Sequence, residues 1–460
     1  MSALLSLLLF TSCGMFDDDA SCQTDSDAKG YLSVKVNVAG DGTSSSTRAE
    51  GDYNPDGGED GNGRETGFEN EYEVNNVTLL LYKADNGING SGDATISYAY
   101  YFDNLTGTTG STGYDITYTS STKECDRLII SNGPYNVIVI ANAGDMTGTF
   151  LNAELSTVRD YIFTSAWTYS EGEYSNFIMT SEDDASTSSS STTGSGTKAS
   201  PLVVSVNIER LAARIDIEPN EGAYNNTDNG YTYNYNVLDK TDETKVIGGF
   251  VLESILPYNK LTSGEYLIKR VTEGTTTSSI SYLGDETETE DKATNYVLDP
   301  WTLGKGTTMP SGLIYNQSKV DDWTSISGFI NVKAVESDKS YFILDYTMEN
   351  TTTDNSETYS TGLVFKGKYY DISNWDSENK QPKEDATYTE KYYTYTIRHS
   401  DPDGKGTTTD PMYYGIVRNN IYRIKIEKIL GDDVLVITIN VKDWTVLSEE
   451  EVPLTPSATN

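Results

Sequence analysis

The chain has one histidine, His399, in 460 residues. That scarcity excludes a multi-histidine metal site and leaves a hydrolytic triad a single candidate base. His399 lies between Arg398 and Ser400, at the end of a strand-like run and before a Gly-rich turn. An exposed strand-end side chain is the ordinary reading there. Cations are scarce as well: 33 Lys and Arg stand against 70 Asp and Glu, a formal net charge of −37. Such a surface repels phosphate backbones and anionic headgroups, so no nucleic-acid partner is expected. Neither a Gly-rich phosphate loop nor a nucleophile elbow occurs. In so acidic a chain, pairs such as Asp321-Asp322 or the run Glu182-Asp183-Asp184 arise by chance, and they read as solvated loops rather than as a glycosidase pair. We therefore expect no enzyme, no catalytic residue, no metal site and no cofactor. The partial calcium-loop pattern Asp52, Asn54, Asp56, Gly57 is closed by Gly63 instead of Glu, and the stretch from Asp52 to Glu69 reads as an acidic linker.

What is abundant is residues suited to a pleated, half-wet surface. Tyr (34) far outnumbers Phe (11), and Ser and Thr are frequent. A mainly β chain follows, and its length suits about two domains. The stretch from Tyr31 to Ala49 organises the rest. Leu32, Val34, Val36 and Val38 alternate with polar residues, the pattern of a strand with one buried face. A polar loop leads from it to Thr47-Arg48-Ala49, a lone basic site. Near the other end Leu435, Ile437, Ile439 and Val441 repeat the same four-rung row. Two strands with one face in common fit one groove, and one of them is cuttable; that favours assembly over catalysis.

Between these strands lie many short ones separated by turn signals, the pattern of β-sandwiches. Val137-Ile138-Val139-Ile140 is apolar on both faces and predicts a central, doubly covered strand. Glu154–Tyr161 is the best helix candidate of the first half. The Ser/Thr/Gly tract Ser181–Pro201 is too polar to bury and marks a long loop or a domain seam. Beyond it, Leu202, Val204, Val206 and Ile208 alternate, then the row resumes out of phase as Leu211, Ala213, Ile215 and Ile217. A slip of that kind at Glu209-Arg210 predicts a β-bulge.

The start, Met1–Phe10 followed by Thr11-Ser12-Cys13, resembles a lipoprotein signal peptide too short to span a membrane, with Cys13 as the lipidated residue. It lacks a basic segment, a departure from that pattern that leaves a start upstream open. Asp17-Asp18-Asp19 resembles the acidic tag of surface-exported Bacteroidota lipoproteins. Further on, the run Glu209-Arg210-Leu211-Ala212-Ala213-Arg214-Ile215-Asp216 is similar to the signature strand of the Bacteroidia fimbrillins, the type V pilins of the Mfa-like group. The segments from Thr361 to Tyr369, from Tyr414 to Tyr422 and from Val441 to Trp444 fit the same group.

This resemblance implies two tandem transthyretin-like β-sandwich domains, at 49–200 and 201–433. They are preceded by a lipoprotein signal and tether at 1–30 and a removable first strand at 31–48, and followed by a donor segment at 434–460. It also implies a precursor held at the outer membrane by its lipid. A trypsin-like protease would cut between Arg48 and Ala49, with Arg64 as a second site. The chain would then become a surface fimbria, a homopolymer joined by accessory or anchor subunits and meeting host or bacterial surface ligands. The donor is either Val434–Val441 or, if that strand closes its own domain, Trp444–Leu454. Because the cut removes Cys22, no structural disulfide with Cys125 is expected. The competing reading is a tip adhesin or glycan-binding surface lipoprotein, with Trp301, Trp323 and Trp375 as sugar platforms; a lone Trp in a β-sandwich more often lies in the core.

Overall fold

The computed structural model describes residues 29–38, 64–83, 93–103, 116–118, 122–131, 135–181, 202–226, 230–261, 263–273, 280–282, 295–302, 305, 313–314, 322–336, 338–351, 357–399, 413–431 and 433–445. Cys13, Cys22, Arg48, Ala49 and the Asp52–Gly63 pattern lie outside them, as does all after Thr445. The chain is mainly β.

Eight strands make the first sheet. In spatial order they are Ile96–Phe102, Val77–Lys83, Tyr135–Ala141, Met179–Ser181, Leu202–Arg210, Lys29–Val38, Thr122–Ser131 and Ile116–Tyr118. Tyr135–Ala141 is buried at every residue, as its unbroken apolar run implies. Its alternate side chains serve two cores. Val137 and Val139 pack with Val34, Val36, Leu79 and Val204 on one face, and Ile138 and Ile140 with Leu80, Phe150, Leu155 and Val158 on the other. The expected helix is present as Leu155–Arg159, and its i,i+3 pair Leu155 and Val158 covers that second face.

The second sheet has eleven strands and forks at Asn420–Leu430. One edge of that strand pairs with Ala212–Glu218 through Ile421–Lys425 and with Gly230–Leu238 through Ile429 and Leu430. Two strands leaving one edge split the sheet into layers, which close sandwich-like over Ile215, Ile217, Tyr235, Phe250, Phe365 and Ile424.

Two expectations are corrected. The phase slip at Glu209-Arg210 is a passage between sheets, not a bulge. Leu202–Arg210 belongs to the first sheet and Ala212–Glu218 to the second, with Leu211 buried between them and its N–H donated to the Ile178 carbonyl (2.9 Å). Each half of the run faces a different core, which shifts the apolar phase as a bulge does. The first sheet therefore takes its strand Leu202–Arg210 from beyond the Ser181–Pro201 tract. His399, expected exposed, is 4% exposed; its Nδ1 shares a hydrogen bond with the Tyr422 hydroxyl (2.7 Å), which also accepts from Val417 N–H. Of the three tryptophans weighed as sugar platforms, Trp375 is core. Its indole N–H bonds Asn236 Oδ1 (2.7 Å), and a Cβ at Gly249 would sit 1.9 Å from its ring, so only glycine fits there.

Candidate functional site

The first strand, Lys29–Val38, lies inside the first sheet and not at its edge. It runs parallel to Leu202–Arg210 on one side and antiparallel to Thr122–Ser131 on the other. In register, Leu32, Val34, Val36 and Val38 stand opposite Leu202, Val204, Val206 and Ile208. Val34, Val36 and Val38 are buried against that second aliphatic row. The sequence shows both rows; it does not show that they are neighbours.

The closing strand, Val434–Thr445, is the last described element. It pairs from Val434 to Asp443 with Asn420–Leu430, and among the described residues its outer edge meets only Arg64–Thr66, opposite Asp443–Thr445. Ile439 and Val441 are buried in the second core, and Leu435 and Ile437 pack against it half-buried. Within one chain, therefore, the four-rung row closes its own sheet. Trp444, the first residue of the alternative donor, is 0% exposed.

Around Trp444 is a buried clamp that joins both sheets to the segment Arg64–Tyr72. Glu71 sits in the single helical turn Glu69–Tyr72, where its Oε2 reaches back to accept from Phe68 N–H (2.7 Å) and fixes the turn's start. The same carboxylate accepts from Arg214 Nη1 (2.9 Å), Trp444 Nε1 (3.0 Å) and the Tyr346 hydroxyl. Arg214 holds Asp216 with a two-pronged contact, 3.0 Å at each prong, and Arg423 bridges Asp216 (3.0 Å) to Glu65. Arg210 donates to the Glu71 carbonyl (2.6 Å), Asn419 Oδ1 (2.9 Å) and the Trp444 carbonyl (2.9 Å), with its guanidinium 4.6 Å over the indole.

Three guanidiniums thus face three carboxylates, Glu65, Glu71 and Asp216, and that balance is what permits burial of so much charge. Burial pushes Arg210 down to about 10 against the pull of Glu71, which leaves it charged at neutral pH. Burial raises Asp216 against the opposing pull of Arg214 and Arg423. Tyr346 is held protonated by burial and by Glu71 beside it. Gly67 is part of the fit, because a Cβ there would lie 2.5 Å from Trp444 Nε1.

A second buried group crosses between the halves. Arg418 Nη2 donates to Glu265 and Glu349 at 2.8 Å each, and Glu265–Tyr266 pairs with Ile162–Phe163 of the first half. Burial and the neighbouring Glu349 carboxylate push Glu265 well up.

Sequence reading singled out the run from Glu209 to Asp216 but not its partners Glu65, Glu71 and Tyr346. The available signal is Arg214 and Asp216 at i,i+2, sharing the strand face opposite Ala213, Ile215 and Ile217. On its own that pattern reads as a wet face. Trp444→Phe keeps the ring and removes one donor from Glu71, so we expect a loss of about 1–2 kcal/mol, measured by chemical denaturation. An unchanged midpoint would mean that the clamp does not hold the closing strand.

The family model described as major fimbrial subunit protein type IV, fimbrillin, C-terminal, matches residues 386–433, a span that ends immediately before Val434. No curated protein matches the chain. Among solved structures, the chain is similar to the tip fimbrial protein Mfa3 of Porphyromonas gingivalis with C-terminal truncation. The identity is 12% and the TM-score 0.43, over 91% of this chain and 100% of that one. A protein of Bacteroides eggerthii described as a cell adhesion protein gives 12% and 0.40, over 91% and 97%. One of Parabacteroides distasonis with the same description gives 16% and 0.39, over 91% and 100%. Over the span directly preceding the closing strand, this chain is therefore similar to the C-terminal part of the fimbrillins.

Proposed function

We propose that the chain is a structural subunit of a surface fimbria, exported as a lipoprotein on Cys13 and polymerised by strand exchange after a cut between Arg48 and Ala49. The observation that carries this reading is the place of Lys29–Val38, paired on both edges yet joined to the other described residues only through 39–63. Removing it would leave two unpaired ladders and an aliphatic trough, a template for an incoming strand. Its three buried valines contribute about 4–9 kcal/mol, an upper limit before association costs.

Leu435, Ile437, Ile439 and Val441 carry the matching row. Among the described residues the outer edge of Val434–Lys442 has no partner strand, whereas the vacated slot offers two. Exchange would add a ladder while keeping an aliphatic row buried. A slip of one residue would turn that row outward, so register is strict. The clamp at Trp444 is then the gate on release. Arg64 suits processing less well than Arg48, because Arg64–Thr66 is paired and leads directly into the clamp.

The partners on this reading are other copies, accessory or anchor subunits, a trypsin-like protease and surface ligands. Arg48→Ala should leave a longer, lipid-bearing chain that stays monomeric, as read by mass spectrometry and negative-stain microscopy. An unchanged mature N-terminus would overturn the assigned cut.

A further inference from the structure

One buried amine is left over from this assembly machinery. Lys305, 2% exposed, donates from Nζ to Asp299 Oδ2 (2.6 Å), Asn350 Oδ1 (2.5 Å) and the Thr351 carbonyl (2.7 Å). Asn350 is 0% exposed, and its Nδ2 is held by the Asn259 carbonyl (2.8 Å), the Tyr359 carbonyl (2.9 Å) and Thr361 Oγ1 (2.7 Å). Those bonds fix the amide with its carbonyl against the amine. Asp299 is fixed as well: Oδ1 accepts from Trp301 N–H (2.8 Å) and Oδ2 from Thr351 N–H (2.7 Å). Burial lowers the Lys305 ammonium against the opposing pull of Asp299 and the more distant Glu265, which favours the neutral, nucleophilic amine.

We propose that Lys305 and Asn350 join in an intramolecular isopeptide bond, with Asp299 as the catalytic proton-transfer group. Asp299 first takes a proton from the Lys305 ammonium. The freed lone pair attacks Asn350 Cγ, and the carbonyl π electrons move onto Oδ1, where the Asp299 acid stabilises them. As the carbonyl reforms, the Cγ–Nδ2 bond breaks and its electron pair leaves with the nitrogen. That nitrogen takes a second proton from the former amine and departs as ammonia. An amine and a primary amide become a secondary amide and ammonia; nothing is oxidised or reduced. Burial of all three side chains limits the access of bulk water, which disfavours hydrolysis as a competing reaction.

The bond would tie the turn that follows Asn295–Leu298 to Asn350–Thr351. That strand follows Phe342–Met348, the partner of Ala212–Glu218. A subunit under tension would thus hold its second sheet by a covalent bond that unfolding does not break. The inference rests on these three side chains and does not depend on strand exchange.

The test is the mass of the denatured full chain. We expect it about 17 Da below the sequence mass, one ammonia lost. A tryptic digest should yield a branched peptide joining Lys305 to Asn350 and no cut after Lys305. Lys305→Arg keeps the charge and removes the nucleophile, and Asp299→Ala removes the proton carrier; both should return the full sequence mass. A parent chain at its sequence mass overturns the proposal, whatever the variants do. So does a 17 Da deficit that persists in Lys305→Arg.

Discussion

Val36→Asp is expected to destabilise the uncut chain by about 3–5 kcal/mol and to leave fibres grown from cut chain unchanged. Val36 is 1% exposed and stands opposite Val206, with Val34 and Val38 buried on either side. Its strand is paired on both edges, so the carboxylate cannot swing into water without opening the sheet. A lone buried charge of this kind is among the costliest single changes. After the proposed cut at Arg48 the residue is no longer present, and neither is its penalty. Val36→Ala, at about 1–3 kcal/mol, supplies a milder variant that still folds and can be cut. Thermal denaturation of the precursor and electron microscopy of the cut protein read the two halves of the prediction. Fibres weakened in step with the precursor would show that the first strand stays in the assembled subunit.

The pieces of this site differ in how far the sequence discloses them. The rows Leu32 to Val38 and Leu202 to Ile208 are legible because strand periodicity is local. Their parallel pairing is not, because the partners are far apart in the chain and only tertiary closure brings them together. The central position of Tyr135–Ala141 is legible for a related reason: an apolar run without alternation has no face to turn to water. The passage at Leu211 is misread because a change of core and a bulge leave the same mark on the pattern. His399 is misread because nothing local shows that Tyr422 waits to receive it. The clamp is the least legible of all. Arg210, Arg214, Asp216 and Glu71 look like surface charges until the structure sets them against one another in the interior, with Glu65 at the rim. Charge reads as exposure in a single strand, and only pairing makes its burial affordable.

Locking the closing strand to its neighbour should abolish polymerisation without unfolding the subunit. Lys425 and Thr438 are directly opposed in the ladder between Asn420–Leu430 and Val434–Thr445, and both are half-buried. Cβ atoms so placed lie about 4.5–5.5 Å apart, and a small backbone adjustment brings them to disulfide distance. Lys425→Cys with Thr438→Cys, in a Cys125→Ser background, therefore places a reversible bolt across the hairpin. The oxidised chain should fold, accept the cut and remain monomeric, because its row of Leu435, Ile437, Ile439 and Val441 cannot leave home. Reduction should restore fibres to the level of the Cys125→Ser parent, which separates a blocked exchange from a damaged fold. Trp444→Phe, by loosening the clamp, should speed assembly of the reduced protein. Fibres forming equally well in the oxidised state would remove the closing strand from the donor role and pass it to the stretch from Trp444 to Leu454.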